Sequence, residues 1–334
     1  MIRSLPKAAC FDFLLLVTLL GAWGCAPGGE RAPVGPPQKL ILAVSPATYS
    51  VLIAVADDKG YFNAAGLEVS IKLYPAGRQA LEAVVRGEAQ VATVADIAFA
   101  AKALEEPSLR ILASIATTVG SRIIARRDRG IQVPADLKGK RVGFTADTVS
   151  DYFLYAFLLT ENISPSDILY VKLPANRQVE AVVSGEVDAV SAFEIFAFEA
   201  TRRLGENAVA WSSQNTLEYH WLLAMTADSL RTPEPLTRLI KALIMAENFV
   251  GADEGETQRI LVRKWNFDPA FLRESWRQTR VGVSFGQSIV TSLQNYVRWE
   301  MNKKGNSAAP RDVLDFLYTR ILDEVAPGSV TVFR

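Results

Sequence analysis

The chain has 334 residues, enough for two domains of ordinary size, each with its own core. Its 36 basic and 36 acidic residues cancel and 49% of its residues are hydrophobic, which argues against disorder and against a nucleic-acid surface, where a basic excess is expected. The two cysteines, Cys10 and Cys25, lie near the start, so the body beyond them offers no disulfide, no cysteine-ligated zinc and no cysteine nucleophile.

Residues 1–24 read as a signal peptide. Arg3 and Lys7 give a positive start, Phe13 to Leu20 an apolar stretch too short to span a bilayer as a helix, and Gly21-Ala22-Trp23-Gly24 a small-residue approach to Cys25. Gly24-Cys25 resembles the junction of a bacterial lipoprotein signal. That resemblance implies lipidation of Cys25 and a membrane anchor at the periplasmic or extracellular face; soluble secretion is the alternative. Residues 25–39 are dense in Pro and Gly and read as a flexible tether.

In the body, Leu40–Val44 is a short apolar run ended by Ser45-Pro46, a buried first strand. Thr48 can cap the helix that follows, and Gly60 can end it. Glu68–Tyr74 alternates as a strand, Arg78–Arg86 reads as a helix, Val91–Val94 as a strand, Ile97–Leu104 as a helix and Arg110–Ser114 as a strand. Thr117, Thr118 and Gly120 mark a crossover. The pattern restarts with strand Arg141–Thr145, helix Val149–Glu161, strand Ile168–Lys172, helix Arg177–Ser184, strand Ala189–Ser191 and helix Ile195–Arg203. Trp221–Met225 reads as one more strand, and from Pro233 onward the chain reads as mostly helical. Strands alternating with helices predict mainly parallel sheets flanked by helices on both faces.

The phrase Glu-Ala-Val-Val-x-Gly-Glu occurs at Glu82–Glu88 and again at Glu180–Glu186, each inside a longer parallel. Its spacing far exceeds a solenoid period and predicts two similar α/β lobes with a ligand cleft between them. The first lobe is expected over 40–121 and 228–334, the second over 122–227.

Three stretches carry a family resemblance: Val55-Ala56-Asp57-Asp58-Lys59-Gly60-Tyr61-Phe62-Asn63-Ala64-Ala65-Gly66-Leu67, Asp136-Leu137-Lys138-Gly139-Lys140-Arg141-Val142, and Gly185-Glu186-Val187-Asp188-Ala189. In this order and spacing the chain resembles the solute-binding proteins of bacterial ABC importers, and within them the SsuA/THI5-like or NMT1-like branch for nitrate, sulfonates, taurine and thiamine precursors. The resemblance implies a two-lobed periplasmic-binding-protein type II fold. It also implies a small-molecule solute, an ABC permease and ATPase as partners, a monomer, no cofactor and no enzymatic activity.

In open sheets ligands bind beyond the carboxyl ends of the strands. That rule selects Ser45, Thr48 and Tyr49, then Asp96, then Thr145, Thr148 and Ser150, then Phe193 and Glu194; Thr117, beside the crossover, joins them. Helix N–H groups with the Thr148 and Ser150 hydroxyls can hold an oxyanion, or these residues are plain caps. Asp96 and Glu194 are likewise ligand contacts or caps. Tyr49 and Phe193 can sandwich a planar or apolar ligand or belong to the core, and Arg78 and Arg122 can pair with an anion, with solvated surface as the other reading of Arg78. One histidine, His220, with no body cysteine and no HExxH sequence makes no transition-metal site. Two other readings compete with import: a thiamine-pyrimidine synthase-like enzyme, and a ligand-sensing receptor on the same fold.

Overall fold

The structure, a computed structural model, describes residues 35–212, 218–305 and 312–333. The signal segment 1–24, Cys25 and most of the tether 25–39 lie outside the described residues.

The first lobe begins with β1 (Gln38–Val44), so the last two residues read as tether belong to a strand. After a 3-10 turn at Thr48–Ser50 come α1 (Val51–Asp58), the one-turn α2 (Tyr61–Ala64), β2 (Leu67–Leu73) and α3 (Gly77–Val85). Then follow β3 (Val91–Ala95), α4 (Asp96–Ala103) and β4 (Leu109–Thr118). Gly60 ends α1 in the left-handed region at φ 72°, where a Cβ would be disfavoured. Thr48 does not cap: no side-chain capping bond forms at this helix, because its hydroxyl is committed elsewhere, as described below.

The second lobe holds β5 (Arg122–Arg126), β6 (Arg141–Phe144), α5 (Val149–Thr160) and β7 (Leu169–Lys172). It continues with α6 (Gln178–Ser184), β8 (Ala189–Ala192), α7 (Glu194–Leu204) and β9 (Ala208–Ser212). The chain then returns as β10 (Tyr219–Thr226), followed by α8 (Glu234–Ala252), α9 (Glu254–Trp265) and α10 (Pro269–Trp276). β11 (Thr279–Ser284), α11 (Gln287–Lys303) and α12 (Arg320–Val325) complete it.

Two sheets form, in the orders β11-β4-β10-β3-β1-β2 and β7-β6-β8-β5-β9. β10 corrects the expected lobe boundary: the sequence placed Trp221–Met225 in the second lobe, 122–227, but the strand pairs between β3 and β4 in the first sheet. Its side chains explain the choice. Leu222, Leu223, Ala224 and Met225 are all fully buried, and only the middle of a sheet covered on both faces can bury consecutive residues.

The sheets are mixed. β1 pairs in parallel with β2 and β3, and β6 with β7 and β8, whereas β5, β10 and β11 run antiparallel to their neighbours. Topology requires this of β5 and β10. Strands β3, β4 and β8 run toward the gap between the sheets; a chain that crosses the gap must enter the other sheet from that edge and run away from it. The first lobe has one continuous core, while the second sheet has a separate cluster on each face.

Candidate ligand-binding site

The strands that point at the gap end in loops that surround one cavity of about 450 Å³. From the first lobe come Ser45–Tyr49 after β1, Leu73–Arg78 after β2, Ala95 and Ala98 around the β3–α4 junction, and Tyr219 and Trp221 at the start of β10. The helical half adds Trp265, Phe267 and Phe271. The second lobe supplies Thr148 and Val149 after β6, and Phe193–Phe196 after β8. This is the switch-edge position expected of open α/β sheets, and the volume falls in the range of about 300–1,000 Å³ usual for small-molecule sites.

Aromatic rings form part of the wall, beside the hydroxyl residues Ser45, Thr48 and Thr148. The Tyr49 ring lies 4.4 Å from Trp221 and 6.0 Å, edge-on, from Tyr219. The Trp221 indole N–H donates to Ser50 Oγ at 2.7 Å, which fixes the ring. Gly77 lets α3 approach: a Cβ there would sit 2.9 Å from Trp221 Cη2 and 2.9 Å from Val94 Cα. The buried hydroxyl of Tyr219 has no hydrogen-bond partner among the described residues. Burial, followed by the charge field of neighbours that include Glu194, drives the Tyr49 and Tyr219 phenols far above their usual range.

Glu194 is the carboxylate of the wall, and it reaches out of the second lobe into the first. It accepts hydrogen bonds from Thr118 Oγ1 at 2.7 Å, Ser275 Oγ at 2.9 Å and Thr48 Oγ1 at 3.3 Å. Thr48 Oγ1 and Ser275 Oγ also lie 2.7 Å apart, so these two hydroxyls, with one proton each, share their protons between each other and Glu194. Burial pushes the Glu194 carboxyl up, and the three hydroxyls offset part of that rise. Gly120, in the crossover between β4 and β5, makes the space: a Cβ there would lie 1.6 Å from Glu194 Oε1 and 2.0 Å from its Cδ. Nearby, Arg122 of β5 pairs with Glu274 of α10, and the Phe198 and Phe271 rings meet at 5.6 Å.

A second clasp joins the lobes through Asp147, which sits in the left-handed region at φ 55°. Its carboxylate accepts from Arg78 Nη1 at 2.9 Å and from Lys303 Nζ at 2.7 Å, both from the first lobe. Arg78 Nη1 also donates to the Ala146 carbonyl at 3.0 Å, and Arg78 Nε to Glu82 at 3.2 Å. Burial works against ionisation of Asp147, but Lys303 and Arg78 outweigh it and hold the carboxyl below the usual range. The Tyr152 ring packs edge-on against Tyr296 at 4.9 Å and Trp299 at 5.2 Å beside this clasp.

Comparison with known proteins matches a family model described as NMT1/THI5 like over residues 47–253. The chain belongs to the NMT1/THI5-like family. No curated protein matches it in sequence. Solved structures that share the fold include the alkanesulfonate-binding protein SsuA from Xanthomonas axonopodis pv. citri bound to MOPS: 16% identity, TM-score 0.73, covering 85% of this chain and 99% of that one. A ligand-binding component of an ABC-type import system from Staphylococcus aureus, with zinc bound, matches at 14% identity and TM-score 0.72, covering 86% and 99%. A variant of the desulfurization enzyme DSZB in complex with biphenyl-2-sulfinic acid matches at 16% identity and TM-score 0.63, covering 87% and 99%.

Within this NMT1/THI5-like fold, Ser45, Thr48, Tyr49, Thr148, Phe193 and Glu194 of the sequence-selected residues line the cavity. Asp96, Thr117, Thr145 and Ser150 do not. Asp96 is wholly buried, its carboxylate accepting the backbone N–H of Ile97 at 2.9 Å and of His220 at 3.0 Å. Burial pushes its pKa up to about 8 against those two bonds. It thereby ties α4 to the start of β10. Thr117 sits inside β4 opposite His220 and Arg280. The Thr145 hydroxyl accepts from Gln178 Nε2 at 3.0 Å, and Ser150 Oγ donates to the Ser191 carbonyl at 2.7 Å, so both brace the loops from behind. Thr148 caps α5 through Ser150 N–H at 3.2 Å while also facing the cavity.

Sequence reasoning did not select Tyr219, Trp221, Trp265, Phe267 or Phe271, which form much of the wall. Signals existed. Tyr219 and Trp221 stand two apart on a strand and therefore share a face. Trp265-Asn266-Phe267-Asp268-Pro269-Ala270-Phe271 is an aromatic cluster at a helix break, where Asn266 takes φ 55°.

Proposed function

We propose that the protein is the solute-binding component of an ABC importer, taking a small organic or oxyanion solute into the interlobe cavity by hinge closure. The observation that carries this is the cavity itself: it stands at the strand ends of both sheets, with walls from both lobes. A solute that touches both walls stabilises the closed arrangement over an open one, which is the condition for ligand-driven closure. Family membership supports the reading, and so does the likeness in fold to a ligand-binding component of an ABC-type import system. Sulfonates, taurine, nitrate and thiamine precursors are the candidate classes, with an ABC permease and ATPase as partners.

The fold by itself does not separate binding from catalysis, since DSZB shares it. What favours binding is that the cavity's carboxylate and guanidinium are both engaged by the chain's own groups, Glu194 by three hydroxyls and Arg78 by Asp147 and Glu82. Neither stands ready as an acid, a base or a nucleophile's partner. In this proposal the protein works outside the cytoplasm, held to a membrane through lipidated Cys25 and the stretch that follows. Calorimetry and thermal-shift measurements with sulfonates, nitrate, amines, pyrimidines and a small-molecule extract of the host provide the test. Failure of every one of these to bind removes the reading. Membrane fractionation of a Cys25→Ala variant tests the anchor: release from the membrane fraction is expected, and unchanged retention refutes it.

A further inference from the structure

The two acids that reach from the second lobe into the first are met by different chemistry. Asp147 is received by two cations, Arg78 Nη1 at 2.9 Å and Lys303 Nζ at 2.7 Å. Glu194 is received by hydroxyls alone, those of Thr48, Thr118 and Ser275, and no lysine or arginine pairs with it among the described residues. Arg122 of β5, the nearest source of positive charge, is paired with Glu274 of α10. On the cavity side, Arg78 is paired with Asp147 and Glu82, and Tyr49 and Tyr219 are phenols driven far above their usual range and therefore neutral.

The protons available to this cradle can be counted. Thr118 Oγ1 gives its proton to Glu194 Oε1 at 2.7 Å. Oε2, Thr48 Oγ1 and Ser275 Oγ form a triangle with sides of 2.7, 2.9 and 3.3 Å, to which the two hydroxyls bring one proton each. The 2.7 Å side, between the hydroxyls, takes one of them. An ionised carboxylate, in a residue 7% exposed, would then rest on two neutral hydrogen bonds. A buried charge is costly without a partner of opposite sign or a full set of donors. A proton on Oε2 removes the charge and supplies the third side of the triangle, leaving Oε1 as the carbonyl acceptor of Thr118. Burial accordingly pushes the Glu194 carboxyl above its usual range, the reverse of Asp147.

We infer, resting on the reading of the cavity as a solute site, that closure of the lobes takes up a proton at Glu194, so that capture tightens as pH falls. With the lobes apart, the carboxyl meets water and ionises in the ordinary glutamate range; with the lobes together, it is withdrawn among hydroxyls. The closed state has the higher pKa, so the proton's contribution is complete below the open-state value and is lost as pH rises through the closed-state value. Asp147 works in the opposite sense and only below the usual carboxylate range, where protonation releases Arg78 and Lys303.

The test uses the full chain without added solute, unfolded and refolded to strip copurified molecules. A fluorophore pair across the gap and small-angle scattering read the closed fraction from about pH 5 to about pH 9. The ratio of closed to open should fall as pH rises, by at most about tenfold per unit. Glu194→Gln keeps the shape without the charge, so it should stay closed with a flat profile. With carbon-13 in the glutamate carboxyls, the infrared difference between the wild type and this variant should show the C=O stretch of a protonated acid that fades as the ratio falls. Glu300→Gln is the control: burial also pushes the Glu300 carboxyl up, and it touches the Asp147 clasp through Lys303, but its loss should leave the slope in place. A closed fraction that does not change with pH, a slope that survives in Glu194→Gln, or one that vanishes in Glu300→Gln overturns the inference. So does a Glu194→Gln chain that is open throughout, since the cradle would then require a carboxylate. If Glu194→Gln does not fold, the wild-type profile, its protonated-acid band and the Glu300→Gln slope decide. Closure is read here without solute, whereas capture is read with the solute panel above, so failure of one is distinguishable from failure of the other.

Discussion

Replacing Gly120 by alanine adds one methyl group where Glu194 already is. The new Cβ would stand 1.6 Å from Oε1 and 2.0 Å from both Cδ and Cγ of Glu194, so the carboxylate has to leave its site. Thr48 and Ser275 keep their mutual bond at 2.7 Å, but Thr118, 1% exposed, loses its acceptor. An orphaned buried hydroxyl costs about 1–3 kcal/mol, and the lost bonds to a charged acceptor add to this while the carboxylate regains water. A net penalty of about 2–3 kcal/mol against the closed arrangement follows, equivalent to roughly 30- to 150-fold weaker capture of a solute that needs closure. Small-angle scattering and a fluorophore pair across the gap should report a more open molecule, and calorimetry the weaker capture. The reasoning stands or falls on coupling. Glu194→Ala removes every atom that the methyl would strike, so adding Gly120→Ala to it should cost no more than about 0.5 kcal/mol. A Gly120→Ala protein as closed as the parent, or a double variant with fully additive losses, refutes the account.

Three further outcomes are expected. Asp147→Gly should lose the links to Arg78 and Lys303 but keep the φ 55° backbone easily, so it should be about 1 kcal/mol more stable to urea than Asp147→Ala; equal stability would mean that the left-handed conformation carries no cost. Asp96 has its folded pKa pushed up to about 8, above its unfolded value of about 3.9, so its contribution is complete below the unfolded value and is lost as pH rises through the folded one. Between those limits stability should fall by at most about 1.4 kcal/mol per pH unit, and Asp96→Asn should flatten the profile measured by denaturant titration; an unchanged slope would assign the dependence to other groups. Gly77→Ala should push α3 away from Trp221 and Val94 at a cost of about 1–3 kcal/mol, with a shift in tryptophan emission; an unshifted spectrum and melting curve would show that the contact has room to yield.

The two-lobed α/β plan was legible because it depends on local patterns repeated in order. Apolar runs such as Leu40–Val44 and Val91–Val94 are bounded by turn residues, and the duplicated Glu-Ala-Val-Val-x-Gly-Glu stretch occupies equivalent places in α3 and α6. The strands that were missed are β5, β9 and β11, none of them shorter than β6, β7 or β8, and β11 lies in a stretch that reads as helical. Their pairing comes from the sheet edge or partner they find, which no local pattern encodes. The position of β10 was misread for a related reason. Its residues say that it is buried, but not in which sheet, and that depends on where the chain recrosses the gap.

The site shows the same division between what is local and what is not. Loops after parallel strands announced Ser45–Tyr49 and Phe193–Glu194, yet a residue such as Glu194 can be read from sequence only as a cap or a ligand contact. In the structure its carboxylate caps no helix, though it lines the cavity. It is held by Thr48, Thr118 and Ser275, three hydroxyls far apart in the chain, in a space that Gly120 leaves open. Asp147 makes the corresponding reach toward Arg78 and Lys303. Both clasps are acids of the second lobe seated in the first, so part of the closed state's stability belongs to the protein. Under the proposed function, a solute then need supply only the differential contacts that tip the balance between the two walls of the cavity, which includes Tyr219 and Trp221 on one side and Phe193 and Phe196 on the other.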